Sequence, residues 1–376
     1  MNILINSLSA KQGGGQTYLS NLIKYLPDDN NTTFFVLCSY YNQSLFKTDK
    51  HNIRIISLNI ILSNSLLRTL FELFVLPFML KKLDIHLYYQ PAAGIPIIIP
   101  KKCKTMTTLQ NMLLLDSEER RRFPLFSMVR LKLSILSFFI LKALRQSDKV
   151  IFISSYSQAF VKRIVHNIDS KSMIIPHGLD HLFLQDNDDL DISTYGLKEN
   201  EYYLYVSTLD YYKAQNELVE EWEILSQTDF KYPLVLTGFL SRKKYVNIVY
   251  NTISKYNLAN KVIITGPIEH QKLSSFYHKA RALIFASSCE CCPNILLEKM
   301  SSGKPLFVSE YPPMPEFAQN VPVYFNPYHR GDLAKKILDF EANPHSLLKR
   351  SSTAIQLIQQ YTWEKTASDT LTFMKD

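Results

Sequence analysis

The sequence predicts an α/β protein built from two parallel-sheet domains, and three observations carry this. Short β-type runs alternate with helical stretches along most of the chain, the pattern of parallel sheets covered by helices on both faces. The alternation comes as two series, separated by an Asp- and Asn-rich segment at 185–200 that is poor in large apolar residues. The chain has 376 residues, 46% hydrophobic and 20% charged, which is enough for two domains with buried cores and argues against disorder.

In the first series the strand candidates are residues 2–6, 33–38, 53–58, 104–109, 149–154 and 172–175. Helix candidates fall at 16–26 after a glycine run, at 65–82 with a kink or break at Pro77, and at 121–147, broken only near Pro124. The second series offers strands at 202–207, 234–237, 261–265, 282–285 and 306–308, alternating with helices at 215–227, 242–256, 270–280 and 294–300. The expected domains are 1–184 and 201–355, joined by a linker at 185–200 and followed in 356–376 by a C-terminal helix that packs back towards the first domain. No solenoid repeat or low-complexity tract is visible.

Lys+Arg number 42 against 34 Asp+Glu, a net charge of +8 that suits an anionic partner: a phosphate ligand, nucleic acid or an acidic membrane. Of five cysteines, Cys38 and Cys103 stand alone and Cys289, Cys291 and Cys292 crowd together. No even framework of spaced cysteines emerges, which favours a reduced compartment. The amino terminus lacks the basic stretch and cleavage site of a signal peptide. The most apolar windows, 57–82 and 133–144, are interrupted by Arg68 and Glu72 and by Ser134, Ser137 and Lys142, so neither reads as a membrane span. The expectation is a soluble or peripheral protein inside the cell.

In open parallel sheets ligands sit beyond the carboxyl ends of strands, so the strand-end loops are where chemistry is expected. The first loop is Gln12-Gly13-Gly14-Gly15-Gln16-Thr17. Without Cβ atoms, Gly14 and Gly15 let backbone N–H groups approach a ligand, and the helix that follows favours an anion. The loop is neither a P-loop nor a dinucleotide fingerprint, and a tight strand-to-helix turn is the plainer alternative.

The richest stretch runs from Ser287 to Pro305, after the buried strand at 282–285. Pro293 suits the start of a helix, Gly303 its left-handed stop, and Pro305 prevents continuation. The N–H groups near Asn294 and Ile295 are first-turn donors available for an anion. Glu298 lies five residues beyond Pro293, roughly 7.5 Å along the axis at about 1.5 Å per residue, close to the step from a diphosphate to the ribose of a nucleotide. A carboxylate there suits two ribose hydroxyls, while Glu290, in the preceding loop, faces whatever hangs on the far phosphate. Solvated carboxylates remain the plain alternative for both. The three clustered cysteines are too close for a usual zinc site and read as small buried packing.

The pair Glu290/Glu298, spaced E-x7-E and followed by Lys-Met-Ser-Ser-Gly-Lys-Pro, resembles the signature of family-4 glycosyltransferases with the GT-B fold. The glycine loop at 13–15, Ile174-Ile175-Pro176-His177-Gly178-Leu179-Asp180, Tyr205-Val206-Ser207-Thr208-Leu209 with Lys213, and Met314-Pro315-Glu316 follow the family's order. The resemblance covers nearly the whole chain. It implies two Rossmann-like domains facing across a cleft, an acceptor-binding amino-terminal one and a nucleotide-sugar-binding carboxy-terminal one. It implies transfer of a hexose-type sugar from a nucleoside diphosphate donor, with retention of configuration and no cofactor. By the same resemblance Lys213 holds the diphosphate, Glu298 the ribose and Glu290 the transferred sugar or its phosphate end. Gly238 and Ile268 border the base, and the amides of Asn294 and Ile295 touch the diphosphate.

Three departures from the family stand out. Thr208 replaces a common arginine, leaving the leaving-group charge to Lys213 together with Lys243, Arg242 or the helix dipole. Gln110 and Asn111 stand where a histidine is common, and can hydrogen-bond sugar hydroxyls but carry no charge. Cys291-Cys292 replaces the commoner small and aromatic residues, in the region expected to select the sugar.

Breaking the anomeric bond builds negative charge on the diphosphate, which fixed donors stabilise without a metal. No convincing Asp-x-Asp run appears, since Asp186-Asn187-Asp188-Asp189 sits in the linker. For the acceptor, helices 65–82 and 121–147 interleave leucines and phenylalanines with Lys81-Lys82, Arg120-Arg121-Arg122, Arg130 and Lys132. That composition suits an anionic bilayer, and so a lipid-linked glycan acceptor of polysaccharide or O-antigen assembly, met peripherally on the cytoplasmic face of the inner membrane. Ordinary packing of helices on a sheet is the alternative. Three rival functions stay in view: a sugar-nucleotide epimerase, a non-catalytic nucleotide-sugar binder, and a nucleic-acid-binding protein, the last without a recognisable module.

Overall fold

The computed structural model describes residues 1–10, 13–40, 42–58, 64–91, 98–184 and 191–376. The start of the glycine loop at Gln12 and the run Asp186–Asp189 lie outside the described residues. The chain folds as two compact units. The first comprises Met1–Leu115, Phe126–Gly178 and Tyr361–Asp376, and the second Asp116–Leu125 and Leu179–Gln360.

The first unit is built on β1 (Asn2–Asn6), β2 (Thr33–Ser39), β3 (Ile53–Leu58), β4 (Leu87–Gln90), β5 (Lys104–Leu109), β6 (Lys149–Phe152) and β7 (Ser172–Ile174), in the order 3-2-1-4-5-6-7 and parallel throughout. The inner strands are apolar at successive positions, as in Ile3-Leu4-Ile5 and Val150-Ile151-Phe152, because both faces of a parallel sheet are covered. The outer strands β3 and β7 keep exposed residues. The second unit has β8 (Tyr203–Val206), β9 (Leu234–Thr237), β10 (Val262–Gly266), β11 (Ala282–Phe285), β12 (Leu306–Ser309) and β13 (Val323–Phe325), in the order 10-9-8-11-12-13 and again parallel. Each sheet reverses its strand order once, between β1 and β4 and between β8 and β11. At such a switch point a ligand crevice opens beyond the strand carboxyl ends.

Side-chain caps explain where several helices start. Asn64 accepts from the amides of Leu66 and Leu67, Ser127 from Arg130 and Thr362 from Lys365. The expected helix at 65–82 is two helices, Ser65–Phe74 and Leu76–Lys82, which meet at Val75 with Pro77 in the first turn of the second.

Four boundaries differ from the sequence expectation. The stretch 121–147 does break around Pro124, but the piece before the break is a short helix, Ser117–Arg121, capped by Asp116 ahead of the expected start, and the piece after it begins only at Met128. The short helix belongs to the second unit, so the Arg120–Arg122 triplet is not part of an apolar, basic face of the first. Its neighbours Glu119 and Phe123 are buried there, and Arg122 pairs with Glu119 at 2.8 Å and stacks 3.4 Å over the Tyr328 ring. Residues 191–200 are no free linker either. Ile192 and Leu197 are buried, the Tyr195 ring meets Phe276, and Asn200 donates its amide to Lys279 at 2.8 Å. The division of the chain falls at Gly178/Leu179, ahead of the stretch read as linker.

The C-terminal helix, Trp363–Lys375, is integral to the first unit. His177, Tyr18 and Trp363 form a three-ring cluster, with the His177 centroid 4.8 Å from Tyr18 and 5.5 Å from Trp363, and those two 6.2 Å from each other. Thr366 donates to the Pro176 carbonyl at 2.8 Å, and Lys149 to that of Phe373 at 2.6 Å. A Cβ on Gly178 would lie 2.2 Å from the Trp363 nitrogen, so the approach of this helix requires glycine there.

Candidate active site

In the second unit two loops leave the adjacent carboxyl ends of β8 and β11 and are stitched together. The Ser288 amide donates to the Tyr212 carbonyl at 2.9 Å. Tyr205 holds the first loop from below, its hydroxyl donating to the Lys213 carbonyl at 2.9 Å. This stitching brings Lys213 and Glu290 together as a hydrogen-bonded ion pair that is largely shielded from water. Burial disfavours the charge on Lys213, but the adjacent Glu290 carboxylate outweighs it and holds the ammonium above the usual lysine range. Arg242, one of the alternative cations, is committed to Asp210 at 2.5 Å, and Lys243 faces solvent.

Glu298 lies on the helix Asn294–Met300. One of its carboxylate oxygens is 3.3 Å from His270 Nε2, and the other accepts from the Tyr277 hydroxyl at 3.4 Å. His270 stands two residues beyond Ile268 in the loop after β10, with its ring edge-on to Phe183. Its pKa is raised, chiefly by the hydrogen bond to Glu298 and against the effect of burial. Gly238 follows β9 at φ +147°, and a Cβ there would lie 2.1 Å from the Ser207 carbonyl, so the first loop can close onto the end of β9 only over glycine. Of the two first-turn amides expected to face an anion, that of Asn294 points to the Cys292 carbonyl at 3.0 Å. Cys289 and Cys291 are buried, and burial pushes the Cys289 thiol well above its usual pKa.

The first unit holds the remaining candidates. Gly14 and Gly15 open the helix Gly14–Tyr25 beyond β1, and no described residue lies within 4 Å of the place a Cβ on Gly14 would take. A Cβ on Gly15 would lie 3.7 Å from Gln110 Oε1, so β1 and β5 bring these two to one place. Gln110 Nε2 is buried and finds no acceptor among the described residues. Asn111 is exposed, and its side-chain oxygen caps the next turn at Leu113 at 3.0 Å.

Residues the sequence reading passed over join the second-unit site. His270 and Tyr277 hold Glu298, and Glu119 accepts from the Ser288 hydroxyl at 2.7 Å. Nothing local marks them: His270 is a lone histidine in a polar loop, and Glu119 reaches its partner across 169 residues of sequence.

A raised folded-state pKa means that the His270–Glu298 contact adds stability below the unfolded value near 6.5 and loses it as pH rises through the folded value. In histidine-labelled protein, the NMR titration midpoint of His270 is expected above that value, and lower in Glu298→Gln. An unshifted midpoint in both proteins would contradict the contact.

Comparisons with known proteins bear on the whole chain. The family model described as Glycosyltransferase Family 4 matches residues 12–181, and that described as Glycosyl transferases group 1 matches residues 189–357. The O-antigen chain mannosyltransferase B of Escherichia coli is 23% identical over 187 residues, 49% of this chain and 48% of that protein, so the match takes in about half of that relative's length. Sucrose-phosphate synthase from Thermosynechococcus elongatus has the same fold, with a TM-score of 0.74 at 17% identity over 100% of this chain and 98% of that one. Anabaena HepE, solved in complex with UDP-glucose, gives 0.72 at 17% identity over 99% of each chain. With two parallel Rossmann-like sheets in one chain, and two family models that between them take in nearly all of it, the protein belongs to the GT-B glycosyltransferase family.

Proposed function

We propose that the protein transfers a hexose-type sugar, with retention of configuration, from a nucleoside diphosphate donor to a glycan acceptor. The donor sits in the second unit. The observation that carries this is the buried Lys213–Glu290 pair at the switch point, with Glu298 on the helix that follows. An ammonium has three N–H donors, so Lys213 can keep Glu290 and still meet a diphosphate. Glu290 then accepts from sugar hydroxyls, and Glu298, oriented by His270 and Tyr277, accepts from the ribose. Gly238 and Ile268 border the base.

The charge demand of the reaction fits these groups. As the anomeric C–O bond to the diphosphate breaks, negative charge grows on the departing oxygen, where Lys213 and the Ile295 amide stabilise it. The acceptor oxygen bonds to the anomeric carbon from the same face, and its proton passes to a phosphate oxygen of the donor. These donors meet the charge demand, so the proposal assigns no metal. Gln110, whose Nε2 has no acceptor among the described residues, Gly15 beside it and Gly14 are assigned to the acceptor side. The HepE complex with UDP-glucose supports a sugar-nucleotide ligand, and the Escherichia coli relative supports a cell-surface polysaccharide or O-antigen product.

A lipid-linked acceptor is supported by the surface of the first unit. Not one residue of the helix Ser65–Phe74 is buried, and Leu66, Leu70, Phe74 and Phe78 form an exposed apolar row at four-residue spacing, ending beside Lys81 and Lys82. On the helix Met128–Gln146, Met128, Leu131, Ile135 and Phe138 are likewise exposed, with Lys132 and Arg145. Among the described residues no helix is long and apolar enough to cross a membrane. Exposed apolar rows bordered by cations fit a peripheral seat on an anionic bilayer.

Two experiments test this reading. Thermal shift and turnover with a panel of UDP-, GDP- and dTDP-sugars are expected to give stabilisation by one nucleotide class, and Lys213→Met is expected to lower kcat about 100-fold while remaining folded. No response to any donor, or full activity in Lys213→Met, would overturn it. Sedimentation with phosphatidylglycerol vesicles is expected to carry down the wild-type protein at low salt and to leave the Phe74→Glu/Phe78→Glu double variant in solution. Wild-type protein that stays in the supernatant would remove the membrane part.

A further inference from the structure

Lys299 follows Glu298 on the helix Asn294–Met300, so its side chain leaves about 100° further round the axis, towards the sheet. It is completely buried, with 0% exposure. Its Nζ donates to the Ile284 carbonyl at 2.6 Å and reaches that of Val206 at 3.5 Å. The rings of Tyr205 and Phe285 flank it, with centroids 4.7 and 5.2 Å from Nζ. These four residues are the last two of β8 and the last two of β11.

The ladder between β8 and β11 forms at Tyr203–Ala282 and Leu204–Leu283 and stops there. Outwards, both strands keep pairing to their ends, β8 with β9 at Val206–Thr237 and β11 with β12 at Phe285–Val308. The two central strands therefore part at the switch point, and the lysine fills the parting with hydrogen-bond donors where the ladder supplies none. A buried carbonyl left without a donor is costly, and an apolar side chain of the same length would leave the Ile284 oxygen unpaired. Burial pushes the Lys299 pKa well below that of an ordinary lysine. Glu298 and Glu290 oppose the shift, and Lys213 adds to it. A group so unfavourable to bury, placed beneath the charged residues of the donor site, calls for a role beyond filling space.

Immediately above the parting, β8 runs into the loop that carries Lys213 and β11 into the loop that carries Glu290. Ser288 ties the two loops from above. We propose that Lys299 is a positioning residue for the donor site: by bridging the parted ends of β8 and β11 it sets the spacing of the two loops, and so the place where Lys213 meets a diphosphate. This rests on the donor-site reading given under Proposed function.

The test titrates UDP, GDP and dTDP calorimetrically into wild-type protein and Lys299→Met, with melting temperatures measured on the same samples. The expected result is that Lys299→Met folds, and that its affinity for the nucleoside diphosphate the wild type prefers falls by about tenfold or more, the effect of losing a charge-assisted contact. A folded Lys299→Met that melts lower but binds within about tenfold of wild type has lost only stability, and this overturns the inference. If Lys299→Met does not fold, Lys299→Arg, which keeps donors for both carbonyls, decides: affinity near wild type supports the inference, and a folded variant that no longer binds overturns it. Wild-type protein that binds none of the three overturns the donor-site reading, and this inference with it, so the two failures are told apart.

Discussion

The proposed donor site depends on the parting of two parallel strands. β8 and β11 are neighbours in the second sheet but lead to connections on opposite sides of it, and their shared ladder ends two residues before the strands do. Each strand delivers its own loop to that gap. That is how Lys213 and Glu290, 77 residues apart in the chain, meet in a shielded ion pair. Taking both charges out of water is unfavourable, and such pairs often add little to stability. Their presence makes sense when a third charged group is to be received there.

The supporting groups fall into a consistent order around that gap. Ser288 fastens one loop to the other and is itself held by Glu119, on the short segment that the chain sends from its amino-terminal half into the second unit. Gly238 lets the first loop close over β9. His270 and Tyr277 fix the Glu298 carboxylate, whose two oxygens point to separate partners that the proposed function exchanges for ribose hydroxyls. In the first unit the C-terminal helix is held by the ring cluster of His177, Tyr18 and Trp363, and the glycine-opened helix start stands beside Gln110, whose Nε2 has no acceptor among the described residues.

Much of the fold was legible in the sequence because parallel strands are buried on both faces and so read as unbroken apolar runs, as at 234–237 and 282–285. Two strands escaped. β4 is only Leu-Tyr-Tyr-Gln and β13 only Val-Tyr-Phe, too short for any period to show, although β4 is the strand next to β1 in the centre of its sheet. The 191–200 stretch looked like a linker by composition, yet Ile192 and Leu197 suffice to dock it. The Arg120–Arg122 triplet looked like a surface patch because the seat of Arg122 on the Tyr328 ring depends on a fold-back that no local pattern encodes. In the site, the place of Glu298 along its helix, counted from Pro293, could be read from helix geometry. The meeting of Lys213 with Glu290 could not, since it depends on strand order rather than on sequence distance.

The most direct measurement of the central claim is a crystal structure of the protein with its preferred nucleoside diphosphate bound. The account predicts the diphosphate against the Lys213 ammonium, beyond the ends of β8 and β11, with the ribose hydroxyls on Glu298. A nucleotide bound elsewhere, with Lys213 still turned only to Glu290 and Glu298 still held by His270 and Tyr277 alone, would contradict it.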